Sequence, residues 1–155
     1  MKSVHIPLSL LRILGVCALL VLPVPSGADE AENQIKYRQA VMKAIGGHMG
    51  ASSLIVRGKV SHRDQLKVHA NGLLSLSRDI AGLFPEGSDF GETEAREIIW
   101  EKWDDFRKAA DESKAGIENF VRVVETGGDS DLAAAFRRVG KGCRGCHEDF
   151  RQKDE

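Results

Sequence analysis

From residue 32 onward, apolar side chains recur three and four positions apart, the period of a helix with one buried face. Strand-like alternation is nearly absent, and Pro85 is the only proline beyond residue 28. The pattern predicts four helices. The first runs from about Glu32 to Arg57 and carries Ile35, Met42, Ile45, Met49, Ser52 and Val56 on one stripe. Arg38 lies on that stripe one turn before Met42, and Val41, His48 and Ile55 flank it. Gly46 and Gly47 in mid-helix each cost about 1 kcal/mol relative to alanine. Either a bulky group or a tightly crossing helix approaches the backbone there.

The second helix is predicted to start at Ser61, with Asp64 completing a capping box. Its stripe is Leu66, Ala70, Leu73, Ser77, Ile80 and Phe84, and Pro85 stops it. A polar loop, Pro85–Thr93, follows, and Thr93 is the predicted cap of the third helix. There Ile99, Trp103, Phe106, Ala110, Ile117, Phe120 and Val124 share a face that Trp100 and Val121 widen, and Gly127-Gly128 terminates it. Trp100 and Phe106 are read as core residues. Ser130 is the predicted cap of the fourth helix, between Asp129 and Asp131 at its positive end. Leu132, Phe136, Val139, Cys143, Cys146, His147 and Phe150 form its inner face. Four helices with short links and one apolar stripe each predict an all-α, antiparallel, up-down-up-down bundle.

The first 28 residues read differently. Lys2 and Arg12 precede a short apolar run, Ile13 to Leu22, and Ser26-Gly27-Ala28 is small where a signal peptidase reads. This predicts a secretory signal peptide cleaved after Ala28, leaving residues 29–155 as the bundle domain. The apolar run falls short of the ~20 residues that span a bilayer. Cys17 lacks the small preceding residue of a lipoprotein signal.

Cleavage removes only Lys2 and Arg12 among the charges, leaving 20 basic against 23 acidic residues and a net charge of −3. That charge excludes a generic nucleic-acid binder and disfavours an anionic membrane surface. It also leaves only Cys143 and Cys146, in a chain long enough to bury a core without disulfides. These two cysteines are therefore there for chemistry or for one small redox loop.

Cys143-Arg144-Gly145-Cys146-His147 is C-x-x-C-H, the covalent attachment motif of a c-type haem. On a helix, cysteines three apart present both sulfurs to one side, where they can bond the two vinyl-derived carbons. His147 lies four after Cys143, so its imidazole can reach the iron, and neutral imidazole is the usual proximal ligand. A thioredoxin-like dithiol wants a βαβ context that is missing, and a zinc site wants four ligands. His48, His62 and His69 show no pairing at ligand spacing and read as surface or helix-face residues.

The chain resembles the class II cytochromes c, the cytochrome c′ family. The likeness rests on Lys36-Tyr37-Arg38-Gln39 with Met42, Phe84-Pro85-Glu86-Gly87-Ser88, Ile99-Trp100, and Cys143–His147 with Phe150-Arg151. The resemblance implies a left-twisted four-helix bundle around one covalent haem c and a periplasmic electron carrier that in some members binds nitric oxide or carbon monoxide. It implies His147 as proximal iron ligand, Arg38 paired with a haem propionate, and Arg151 beside the proximal imidazole. The segment Val41–Gly50 looks like the low-spin branch, in which Met42 would be the sixth ligand. Some high-spin members also carry methionine there, and Met42 as a core filler is the alternative.

The main functional expectation is therefore single-electron transfer with His147 and Met42 axial and redox proteins as partners. The alternative is a five-coordinate cytochrome c′ that binds nitric oxide or carbon monoxide. An enzyme is the weakest reading, because no acid–base pair is placed beside Met42 on the first helix. His62, Lys67 and Arg78 make the face of the first two helices polar, which favours a monomer over a homodimer.

Overall fold

The computed structural model describes residues 27–127 and 129–153. Helix α1 spans Gly27–Val56, α2 Leu66–Leu76, α3 Ile98–Glu101, α4 Trp103–Thr126 and α5 Asp129–Phe150. Among the described residues the only extended pairing is an isolated antiparallel bridge between Ala95 and Arg151. The architecture is the predicted four-helix bundle, with α3 a single turn ahead of α4. Packing is most extensive between α4 and α5, intermediate for α1 on α2 and α2 on α4, and slight between α1 and α5.

α1 ends where Gly58 takes a left-handed φ of 63°. The Gly58 amide then donates to the Ile55 carbonyl at 2.9 Å and the Lys59 amide to that of Leu54 at 2.9 Å. This is a Schellman closure, which needs a residue without a Cβ at its turning point. Gly127, with φ 74°, ends α4 in the same conformation. Gly128, the second predicted terminator, lies outside the described residues, as do residues 1–26 of the predicted signal peptide.

Several predicted boundaries differ. α1 starts at Gly27 rather than near Glu32, and the third helix starts at Ile98 rather than beside Thr93. Ser61 does not cap α2; a 3₁₀ turn, Arg63–Gln65, leads into it, with His62 at its cap position and no capping side-chain bond. α2 stops at Leu76 rather than at Pro85, and a second 3₁₀ turn covers Ala81–Leu83. The Asp79 carboxylate accepts the Gly82 amide at 2.9 Å, a local bond that competes with helix continuation. Ser130 lies inside α5, which already starts at Asp129.

The core has two parts. One gathers Ile55, Leu66, Ala70, Leu73, Ile117, Phe120, Val121, Leu132, Ala135 and Val139. The other is aromatic: Phe84, Ile99, Phe106 and Phe150, bordered by Met42, Trp100, Trp103 and Cys146. α4 and α5 approach closely because glycines line their contact. A Cβ on Gly142 would stand 3.0 Å from the Ser113 Cα, and one on Gly116 would stand 3.6 Å from the Val139 Cα.

Candidate haem site

The helical period that buries Val139 and Phe150 also turns Cys143 and Cys146 inward on the last turns of α5. Both are half-buried and neither is in a disulfide. Cys143 packs against the first core cluster and Cys146 against the aromatic one, so the two sulfurs lie where the clusters meet. Burial pushes both thiols up, Cys146 to about 11 with help from Cys143 and Asp149. A reactive dithiol or a thiolate metal site needs the opposite shift. Among the described residues no three His, Cys, Asp or Glu side chains cluster as a metal site.

These residues fit a tethered haem. α5 faces α1 across the least packed seam of the bundle. Met42, half-buried on α1, borders the same aromatic cluster as Cys146. A Cβ on Gly46, Gly47, Gly50 or Gly145 would meet nothing within 4 Å. The tight helix crossing offered as one reason for Gly46-Gly47 is therefore not there. The close crossings involve Gly116 and Gly142 instead.

Arg38 is 3% exposed and turned toward the loop after Phe84. It donates to Ser88 Oγ at 2.8 Å, to the Ser88 carbonyl at 2.6 Å and to Thr93 Oγ1 at 2.7 Å. Its guanidinium lies over the Phe84 ring at 4.8 Å and the Trp100 ring at 5.8 Å. Ser88 Oγ and Trp100 Nε1 both donate to the Pro85 carbonyl, which closes the network. Desolvation lowers the arginine's pKa, and Asp89 opposes that shift. Three of the five guanidinium donors are thus engaged by the loop. The propionate role implied by the resemblance is left with the other two. Thr93, expected as a helix cap, is instead an acceptor for Arg38 and for the Ala95 amide.

The far end of α5 is tied down by the segment after Thr93. Arg151 Nε pairs with Glu94 at 2.6 Å, the Gln152 amide donates to the Glu94 carbonyl at 2.7 Å, and the Arg96 amide donates to the Phe150 carbonyl at 3.1 Å. His147 sits at this end, exposed rather than on the inner face the helical period predicts, because it falls on the last turn of α5. Desolvation and then the Arg151 charge lower its pKa, against Glu94. The neutral imidazole favoured there is the form that ligates iron. Ser88 and Glu94 were not legible as site residues, because nothing in a loop sequence says which distant side chain it will hold.

His62 is exposed, as expected of a surface residue, but the other two histidines differ from expectation. His48 on α1 and His69 on α2, read as unpaired, meet with their Nδ1 atoms 3.1 Å apart.

The family model for cytochrome c′ matches residues 33–151. A cytochrome c′ of Pararhodospirillum photometricum is 31% identical over 122 residues, 78% of this chain and 98% of that protein. The solved cytochrome c′ of Rubrivivax gelatinosus superposes with a TM-score of 0.74 at 27% identity, covering 79% of this chain and 97% of that one. The nitric oxide complex of a cytochrome c′ variant from Alcaligenes xylosoxidans gives a TM-score of 0.74 at 28% identity, covering 80% and 97%.

Proposed function

Because this chain belongs to the cytochrome c′ family, whose members carry one covalently bound haem c with iron, we propose that it binds nitric oxide or carbon monoxide at a five-coordinate haem. Cys143 and Cys146 would hold the haem through thioethers, and the His147 imidazole would ligate its iron. Bound there, the group supplies a one-electron redox change and an open coordination position. The protein's own part is to shape both faces. α5 fixes His147, the Glu94–Arg151 pair borders it, and Met42 with the aromatic cluster shields the seam. Arg38 holds the loop that closes the aromatic end.

The observation that carries the reading is the family match across residues 33–151 with the attachment motif on the last helix. It is joined by the nitric oxide complex among the structural neighbours. The comparisons do not support the low-spin expectation, so Met42 is assigned as a packing residue on the distal side. The monomer preference likewise gains no support, and one structural neighbour is a cytochrome c′ with ligand-controlled dimer dissociation. Export to the periplasm after cleavage at Ala28 is part of the proposal. No described helix is long and apolar enough to cross a membrane.

The optical spectrum tests the assignment. The ferric protein should be high-spin, the ferrous protein should take up carbon monoxide without delay, and Met42→Ala should leave the ferric spin state unchanged. A low-spin ferric spectrum with a near-infrared sulfur-to-iron band that Met42→Ala abolishes would overturn it. Electron transfer with His147 and Met42 axial would then stand in its place.

A further inference from the structure

We propose that His48 and His69 form a second metal site, away from Cys143–His147, for a borderline divalent cation such as copper(II) or zinc(II). The two side chains come from different helices, 21 residues apart, and bring their Nδ1 atoms to 3.1 Å. Metal–imidazole bonds are about 2.0–2.1 Å, so two nitrogens in neighbouring coordination positions stand roughly 3 Å apart. The pair thus has the span of a two-imidazole chelate, with the rings inclined at 60°. Imidazole nitrogen suits copper, nickel and zinc, with copper(II) bound most tightly.

The seat for His48 is built into the backbone of α2. A Cβ on Gly72 would stand 2.6 Å from both Cε1 and Nε2 of His48, so the ring occupies space that any other residue would fill. A mid-helix glycine costs about 1 kcal/mol relative to alanine. Here it admits an imidazole edge and leaves Nδ1 directed at His69. Ser52, one turn along α1 on the face of His48, is fully buried, and its Oγ has no partner. Buried polar atoms without partners call for an explanation. A water on the bound cation would give Ser52 Oγ the hydrogen bond it lacks.

The test uses the haem-loaded, ferric protein, so that His147 is already committed. Copper(II) is titrated and followed by electron paramagnetic resonance, and zinc(II) by calorimetry. One equivalent should bind, the copper spectrum should carry nitrogen couplings, and the haem absorption should not move. His48→Gln and His69→Gln should each remove that binding, and His62→Gln should leave it intact. Gly72→Ala, which removes no ligand, should weaken it by displacing His48. Sub-stoichiometric copper(II) added to the unmutated protein gives a readout that needs no variant. It should broaden the His48 and His69 imidazole resonances first. No uptake of copper(II) or zinc(II), uptake that survives both glutamine substitutions, or broadening confined to other histidines would overturn the site.

Discussion

α5 has two unlike edges. Toward α4 it is closed: Gly142 lies against Ser113, and Gly116 lies against Val139. The first cluster, with ten buried residues and eight partly buried ones, completes that part of the core. Toward α1 it is open. The aromatic cluster has four buried residues against ten that are only partly so, and Met42 and Cys146 are among the ten. α4 packs closely on this helix, and the two half-buried sulfurs lie where the two clusters meet.

The sharpest way to break this contrast is to remove the tether. Cys143→Ala with Cys146→Ala should abolish covalent haem, seen as a protein mass lower by one haem and colour that acid-acetone extracts. Hydrogen exchange should then quicken around residues 84–106 and stay slow around Leu73, Phe120 and Val139, since local openings follow contact density. Uniform loss of protection would show that the two edges are not independent.

A smaller effect comes from truncating one aromatic on each side. Phe120 is 0% exposed and packs at a tilt against Phe136, so Phe120→Ala should cost about 3–5 kcal/mol in denaturant unfolding. Phe84 is 7% exposed and borders the open seam, so Phe84→Ala should cost about 3 kcal/mol or less. Phe84→Ala should also disturb the haem spectrum, because Arg38 loses the ring beneath it. An equal cost on both sides would erase the distinction.

The smallest effect should come from two glycines of α5. Gly142→Ala drives a methyl against the α4 backbone and should destabilise by about 1–3 kcal/mol. Gly145→Ala meets nothing within 4 Å and should gain up to about 1 kcal/mol in helix propensity. Thermal melts of the two variants compare the edges directly, and a Gly145→Ala variant that melts earlier than its parent would place another body against that face.

The four helical stripes and the attachment motif were legible in the sequence for a local reason. A period of 3.6 and a spacing of three residues are properties of one segment, whatever it packs against. The boundaries were less so. Ser61 and Thr93 have the chemistry of caps, but the chain entered α2 through a 3₁₀ turn, and Arg38 claimed the Thr93 hydroxyl. α2 ends at Leu76, and beyond it the Asp79 carboxylate takes the Gly82 amide in a 3₁₀ turn that the apolar pattern concealed. Lys102, at φ −120° and ψ 51°, leaves the helical region and divides α3 from α4.

What the sequence determined by itself is the all-helical class, the face each helix buries and the pair of sulfurs with an imidazole beside them, all written within single helices. Tertiary structure decided which edges of those helices meet. It turned Arg38 onto Ser88 across 50 residues of chain and joined Glu94 to Arg151 across 57. It also set His48 against His69 in the slot above Gly72. Such pairings depend on how helices are rotated and offset against each other, which the periodicity of any one helix leaves free.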